Sequence, residues 1–261
     1  MSEYTLSAET LGGDVPALRL ASAGAAADAP LVIVLHPLGS RKEKMLPGLL
    51  AFAGAGFQAV AIDAALHGER PDAAEREARL QADFLGASAA MIEGTARDVS
   101  RVLDALGAER AGIHGISLGG YTVFAALLTE PRLVAASSAI GSPDWAGPLR
   151  AYGLGPGNPL YDRAAATSPL TLLPSVLPPR PLLMQHGNLD ETVPADGVLA
   201  LEERLRPLYA QAPERLHLEL YPGLGHTYPD DMERRAVEWM TRFAQNQEAV
   251  GGSAGAWSAG V

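Results

Sequence analysis

A serine in a tight glycine turn is the feature of this sequence with the clearest chemistry. Gly115-Ile116-Ser117-Leu118-Gly119-Gly120 reads G-x-S-x-G and stands between an apolar run typical of a strand and a segment of helical period. Such a turn lifts a serine clear of a sheet, and small flanking residues are needed where the backbone is crowded. Ser117 would also begin a helix, where the free N–H of Leu118 favours negative charge. The pattern predicts a nucleophile rather than an ordinary Ser and Gly turn.

A serine hydroxyl needs a base to take its proton and a third group to orient that base. Asp190 ends the loop His186-Gly187-Asn188-Leu189-Asp190 after a predicted strand, and functional groups collect beyond the carboxyl ends of parallel strands. His226 occupies the corresponding loop after the next strand. Two alternatives stay open at this point: Glu191 could be the acid, and Asp190 could serve only as a turn or cap residue.

The rest of the chain must build the scaffold that positions these groups. Short apolar runs alternate with longer segments of helical period, which predicts an α/β fold with a mostly parallel sheet covered by helices on both faces. The first two strands should form an antiparallel hairpin at the edge. The eight strands are predicted at 4–9, 17–21, 31–35, 59–62, 111–114, 134–140, 181–185 and 216–221.

Helices are predicted between the later strands, at 73–106 with a break near Gly86, 118–129, 197–211 and 231–245. An earlier helix should begin at Ser40, because Glu43 follows at the spacing of a capping box. Residues 142–180 are rich in Gly and Pro and predict an irregular, lid-like excursion with one short helix. Residues 1–246 would form one domain, and 247–261 a disordered tail.

The composition excludes several classes of function. With 20 basic and 30 acidic residues the net charge is −10, which argues against a nucleic-acid partner. The absence of cysteine excludes disulfides, Cys-ligated metals and a thiol nucleophile. No metal-ligand pair or nucleotide loop indicates a cofactor. Without a signal peptide or a long apolar run, we expect a cytoplasmic protein with no membrane partner. The sequence leaves the oligomeric state open.

Five motifs occur in one order over about residues 31–245. They are His36-Pro37-Leu38-Gly39-Ser40, residues 63–70 with His67-Gly68, the serine turn, the loop from His186 to Pro194, and Gly225-His226. In these motifs the chain resembles the α/β-hydrolase superfamily. Within it, the chain is similar to small bacterial esterases related to dienelactone hydrolases and to prolyl-oligopeptidase-type catalytic domains. The order serine, acid, histidine is the one expected of this fold.

The resemblance implies roles for individual residues. Ser117 would be the nucleophile, His226 the general base and then acid, and Asp190 the group that orients the imidazole. The backbone N–H groups of Leu38 and Leu118 would form the oxyanion hole, although Pro37 departs from the more usual His-Gly at this turn. The implied activity is that of a cofactor-independent serine hydrolase, a carboxylesterase. The excursion is too short for a large lid, so we expect small acyl groups.

Other residues are expected around the site. Trp145 would form an apolar wall of the substrate pocket together with Leu38. Arg70, near His67, could bind a substrate carboxylate, although a salt bridge that holds the loop is the favoured interpretation. The remaining histidines are expected to have structural roles: His36 and His186 in turns, and His114 and His217 in packing.

Other functions are possible for the same residues or the same fold. The same residues could cleave thioesters, amides or short peptides, because the fold does not choose among them. A protein of a different class, a ligand-binding descendant of the fold without activity, would normally lack one of the three groups. A dehalogenase or an epoxide hydrolase would carry a carboxylate where this chain has Ser117.

Overall fold

The computed structural model describes residues 3–25 and 29–245. An eight-stranded sheet runs through this part of the chain. All eight predicted strands are present, several of them one to three residues longer than predicted. Their bounds are β1 Tyr4–Leu11, β2 Val15–Ser22, β3 Leu31–Leu35, β4 Gln58–Ile62, β5 Ala111–Ile116, β6 Leu133–Ala139, β7 Leu182–Gly187 and β8 Leu216–Tyr221. They lie side by side in the order β1-β2-β4-β3-β5-β6-β7-β8.

The sheet is parallel except at one edge. β1 and β2 form the predicted antiparallel hairpin, in which Leu11 pairs with Val15, and β2 runs antiparallel to β4. The pairs from β3 to β8 are parallel. Every residue of β3 and β5 is buried, as expected for strands covered on both faces. The α/β-hydrolase architecture is therefore confirmed.

Helices cover both faces of the sheet and create two layers of core. Their bounds are α1 Leu46–Gly54, α2 Arg76–Ala82, α3 Phe84–Ala105, α4 Leu118–Thr129, α5 Gly147–Arg150, α6 Pro159–Thr167, α7 Pro169–Val176, α8 Asp196–Leu205 and α9 Asp230–Met240. On one face α1 and α9 pack with Phe52 and Trp239 fully buried. On the other, α3, α4, α7 and α8 contribute to a larger apolar cluster.

Two expectations about local structure are wrong. Ser40 and Glu43 do not form a capping box: a short 3₁₀ turn, Lys42–Met45, begins after Arg41, which makes no side-chain cap. The backbone N–H of Lys42 is instead bound by the distant Asp63 at 2.9 Å. Residues 142–180 hold three helices, not one. Asn158 caps α6, and each of the three helices carries proline near its start. At that position the missing N–H of proline costs no helical hydrogen bond.

The break predicted near Gly86 is present slightly earlier. Asp83 separates α2 from α3, and its carboxylate accepts the backbone N–H of Gly86 at the start of α3. Among residues 3–25 and 29–245, no helix is long and apolar enough to cross a bilayer. The predicted tail, 247–261, lies outside the described residues.

Candidate active site

Ser117 stands in a strained turn between β5 and α4. Its φ of 54° and ψ of −113° are rare for a residue with a side chain. The turn is closed by contacts that only glycine permits. A Cβ on Gly115 would lie 2.3 Å from the carbonyl oxygen of Gly119, and one on Gly119 would lie 2.4 Å from the carbonyl oxygen of Leu35. The glycines of the motif therefore set how far Ser117 projects above the sheet.

Three side chains from three separate loops meet at this turn. The hydroxyl of Ser117 lies 3.0 Å from His226 Nε2. The other ring nitrogen of His226, Nδ1, lies 2.7 Å from Asp190 Oδ2. With Nδ1 protonated, the imidazole donates to the carboxylate and its Nε2 accepts the serine proton. The arrangement can pass a proton from Ser117 to His226 while Asp190 holds the ring in the required tautomer.

Asp190 is fixed by its own loop. Its side chain is fully buried, and Oδ1 accepts the backbone N–H groups of Thr192 at 3.0 Å and Val193 at 2.8 Å. His186 Nε2 donates to the carbonyl of Val193 at 2.7 Å, which closes the same loop. Glu191, the alternative acid, is exposed. The structure thus brings Asp190, and not Glu191, to the histidine.

The loop of His226 is attached to the loop of Asp190 and to the nucleophile strand. The backbone N–H of Leu189 donates to the carbonyl of Leu224 at 2.9 Å. Two residues beyond His226, the hydroxyl of Tyr228 lies 2.9 Å from His114 Nε2 on β5. No local pattern predicts this last contact, because 114 positions separate its partners.

Two backbone N–H groups are available for an oxyanion hole. Leu118 is the first residue of α4, and the first N–H groups of a helix have no partner within the helix. Leu38 lies in the turn after β3, where Ser40 N–H donates to the carbonyl of Pro37 at 3.1 Å. Within the described residues the N–H of Leu38 has no acceptor. The N–H groups of Leu38 and Leu118 are those expected to bind the oxygen on which negative charge develops during the reaction.

His67 does not reach the substrate side of the site, so its expected role in substrate binding is wrong. The ring is fully buried, and both nitrogens are engaged: Nε2 accepts the backbone N–H of Gly39 at 3.0 Å and Nδ1 donates to the carbonyl of Ala65 at 2.9 Å. His67 thus binds the turn that holds Leu38. The sequence places His67 in one of the motifs near the site, but no pattern in it indicates the bond to Gly39.

Arg70 is likewise unavailable to a substrate carboxylate, so the alternative in which it binds substrate is wrong. Its guanidinium is buried, forms an ion pair with Asp98 and donates to the carbonyl of Asp63 at 3.2 Å. Asp14, in the turn of the edge hairpin, lies 3.7 Å away. These contacts attach the loop after β4 to α3 and to the hairpin, which is the salt bridge that the sequence favoured.

Trp145 lies in the excursion, half-buried against the larger apolar cluster. Its backbone N–H donates to Ser168 Oγ at 3.1 Å. The indole N–H is buried and finds no acceptor among the residues that the structure describes. Its contact with substrate stays a prediction. Leu38, the other expected wall, is partly exposed at 38%.

The structural histidines are held in the neutral form. Burial is the main cause that lowers the pKa of His36 and His186, and it lowers the pKa of His67 and His114 to about 4. His36 Nε2 accepts the backbone N–H of Ala64 at 3.0 Å, which a protonated ring could not do. The structural roles expected of His36, His114 and His186 agree with their contacts.

The chain is similar over most of its length to several known proteins. The Bacillus subtilis (strain 168) protein named "Putative esterase YitV" is 28% identical over 229 residues, which span 82% of this chain and 89% of that protein. The structure of TT1662 from Thermus thermophilus superimposes with a TM-score of 0.72 at 25% identity, covering 94% of this chain and all of the other. The Pyrococcus furiosus esterase Pf2001 does so with 0.62 at 19%, covering 93% of each chain.

The family comparison extends over more than half of the chain. The model of the prolyl oligopeptidase family matches residues 93–251. This range includes the serine turn and the loops of Asp190 and His226. The chain belongs to the prolyl oligopeptidase family, within the α/β-hydrolase superfamily.

Proposed function

We propose that the chain is a serine esterase that hydrolyses carboxylic esters through an acyl-enzyme on Ser117. The observation that carries this proposal is the continuous hydrogen-bonded series from Ser117 Oγ through His226 to Asp190, at 3.0 and 2.7 Å. Nucleophile, base and orienting acid are each within hydrogen-bond reach of the next group, as activation of a hydroxyl requires. The similarity to a protein named as an esterase supports the choice of ester.

Acylation begins when Ser117 Oγ attacks the ester carbonyl carbon and its proton passes to His226 Nε2. The carbonyl oxygen becomes an oxyanion, which the backbone N–H groups of Leu118 and Leu38 stabilise. Asp190 stabilises the imidazolium formed in this step. The tetrahedral intermediate then collapses: the bond to the alkoxy oxygen breaks, and His226 gives its proton to the leaving alcohol.

Deacylation repeats the steps with water. His226 takes a proton from a water molecule, whose oxygen attacks the acyl carbon and again creates an oxyanion. Collapse breaks the bond to Ser117 Oγ, and the proton on His226 returns to the serine. The products are the carboxylic acid and the free enzyme, and no cofactor is consumed.

Short acyl groups are the proposed substrates, because much of the excursion has a structural use. α7 packs against α4 and α8, and its Leu170 and Leu173 are buried in the larger apolar cluster. Only the segment with α5 and α6 is left to cover the site, and no residue of α6 is buried. An acyl site with Trp145 and Leu38 as its proposed apolar walls would suit acetate or butyrate better than a long chain.

A peptide or amide substrate is the second candidate, and the family match favours it. The same groups can attack an amide, in which case His226 must protonate an amine leaving group. Substrates that share one acyl group but differ in the leaving group separate these two functions. A p-nitrophenyl ester and the matching p-nitroanilide form such a pair.

The test combines labelling with a substrate series. A fluorophosphonate probe should label the wild-type protein at Ser117, and p-nitrophenyl esters from acetate to palmitate should be cleaved fastest at the short end. Ser117→Ala should abolish both. Ser175→Ala is the matched control, since Ser175 lies exposed in α7 and, among the described residues, its hydroxyl bonds only to the carbonyl of Leu172. Near-native turnover by folded Ser117→Ala would overturn the proposal, and faster cleavage of the anilide would favour the peptidase.

A further inference from the structure

We propose that His36 and His67 are positioning residues that orient the Leu38 N–H as an oxyanion donor; this inference rests on the proposed function. The two histidines come from different loops, His36 from the turn after β3 and His67 from the loop after β4. Each ring binds backbone of the loop opposite its own. We call this pair the histidine clamp. Their contacts define both peptide groups on either side of Leu38.

His36 controls the peptide group that contains the donor itself. The Nδ1–H of His36 donates to the carbonyl oxygen of Pro37 at 2.8 Å. That carbonyl and the Leu38 N–H belong to one planar peptide group, and in a trans peptide they point in opposite directions. Fixing the carbonyl therefore fixes the direction of the N–H. A bond accepted at the carbonyl also polarises the amide, which strengthens the N–H as a donor.

His67 controls the next peptide group along the chain. Its Nε2 accepts the backbone N–H of Gly39 at 3.0 Å. Gly39 has a φ of 76°, so the turn adopts a conformation that this residue tolerates and most others do not. With Pro37 held on one side and Gly39 on the other, Leu38 has little freedom to rotate its N–H away from the site.

Further contacts between the same two loops support the histidine clamp. The rings of His36 and His67 pack edge to face with centroids 5.0 Å apart. Next to them, Asp63 accepts the backbone N–H of Lys42 at 2.9 Å and the buried Lys42 ammonium at 3.1 Å, which joins the same two loops a second time. Backbone N–H groups acting as oxyanion donors are effective only when they are held in place before the reaction.

Both rings must be neutral to accept a backbone N–H, and their surroundings favour this. Burial lowers the pKa of both, to about 4 for His67, and Arg76 acts in the same direction. Asp63 faces both rings and Glu43 faces His36, and both raise the pKa. Burial outweighs these two carboxylates, so the rings remain acceptors at neutral pH.

The decisive experiment compares His67→Asn with His67→Gln. The Asn amide reaches the Nδ1 position and can still donate to Ala65, but it cannot reach Gly39; the longer Gln amide can offer an acceptor there. We expect His67→Asn to lower kcat roughly 10-fold to 100-fold, somewhat less than the loss of a whole oxyanion donor. KM should change little, and the affinity for a trifluoromethyl ketone, which forms a tetrahedral oxyanion on the serine, should fall with kcat. His67→Gln should restore most of both.

Thr95→Val is the matched control. Thr95 Oγ1 accepts the backbone N–H of Ala65 at 3.0 Å, so this change loosens the loop of His67 without touching Gly39. It should lower stability but leave kcat near that of the wild type. Equal losses of kcat in Thr95→Val and His67→Asn would show general loosening and overturn the clamp. If His67→Asn does not fold, His67→Phe, which retains the ring volume but loses the hydrogen bonds to both Gly39 and Ala65, is compared with Thr95→Val and His67→Gln in its place.

The outcomes also separate this inference from the proposed function. An active wild type with unchanged kcat and ketone affinity in His67→Asn would overturn the clamp and leave the esterase intact. A wild type that cleaves no ester and is not labelled by fluorophosphonate would overturn both. Parallel loss of kcat and ketone affinity at constant KM, with rescue by Gln, supports both.

Discussion

The hydroxyl of Tyr228 lies 2.9 Å from Nε2 of His114, and this contact joins the loop of His226 to the strand that carries Ser117. His114 lies three residues before the nucleophile, and Tyr228 two residues after the base. On its other side, His114 Nδ1 lies 3.2 Å from Ser137 Oγ on β6. Ser117 Oγ and His226 Nε2, which lie 3.0 Å apart, are thus also connected through the core beneath them.

Removing this contact should affect both stability and turnover. Tyr228→Phe keeps the ring but leaves a buried acceptor on His114 without its donor, which costs about 1 to 3 kcal/mol. We expect a lower urea midpoint and a decrease in kcat of roughly 3-fold to 10-fold, because the loop of His226 is less well fixed. Urea unfolding and initial rates on one p-nitrophenyl ester test this. Unchanged kcat at reduced stability would mean that the contact supports the fold alone.

Asp190→Asn should lose ~10³-fold or more in kcat, since an amide favours the wrong tautomer of His226. The backbone N–H groups of Thr192 and Val193 can still donate to an amide oxygen, so the loop should fold. Glu191→Gln, one residue on and exposed, is the control and should behave as the wild type. A greater loss in Glu191→Gln would show that the acid is misassigned.

The Leu38 N–H can be tested apart from its side chain. Leu38→Ala keeps the donor, so activity should fall only modestly through altered packing. Leu38→Pro deletes the donor and should cost ~10²-fold to 10³-fold in kcat. Circular dichroism and fluorophosphonate labelling must first show a folded protein with a reachable serine, because the change also restrains Pro37. Comparable activity in the two variants would mean that the second donor comes from elsewhere.

Stability should decrease as the pH falls from about 6.5 to about 4. The pKa of His67 and that of His114 are each about 4 in the folded protein because of burial, against 6.5 for an ordinary histidine. Between these values the unfolded chain binds protons that the folded chain does not, so acid favours unfolding there. The loss by pH 4.5 should be on the order of 2 kcal/mol for each ring.

Urea titrations at pH 7, 5.5 and 4.5 measure this dependence. His114→Gln removes one of the rings whose pKa burial lowers and should make the pH dependence less steep, whatever it does to stability at pH 7, while His36, His67 and His186 keep part of it. Protonation of Glu130, whose pKa the Arg132 guanidinium lowers to about 2, acts mainly below this window. An unchanged slope in His114→Gln would contradict the assignment of the effect to His114.

The sequence was informative wherever short-range patterns determine the structure. Buried parallel strands need continuous apolar runs, so β3 was predicted with its observed bounds. β8, which alternates apolar and polar residues and is only partly buried, was also predicted with its observed bounds. The serine turn is encoded within six residues. The roles of His67 and Arg70 depend instead on partners 28 residues away, Gly39 and Asp98, which no local pattern reveals.

The excursion was the least predictable segment for a related reason. Its proline and glycine content indicated loop, yet proline at the first turn of a helix is favourable, and α5, α6 and α7 all use it. The apolar contacts of Leu170 and Leu173 with the core hold helix α7 in position. Burial of that kind depends on the assembled sheet and helices, not on the segment itself.

The backbone conformation of Ser117 also has a consequence for the energetics of the whole protein. A φ of 54° with ψ of −113° costs a residue with a side chain on the order of 1 to 3 kcal/mol. Glycine would adopt the same turn at little cost. Folding alone would therefore favour a chain with no hydroxyl at position 117. The packing around the turn must therefore supply at least this much stabilisation beyond what the fold alone needs. That extra stabilisation holds a reactive hydroxyl in a backbone conformation that the chain would otherwise avoid.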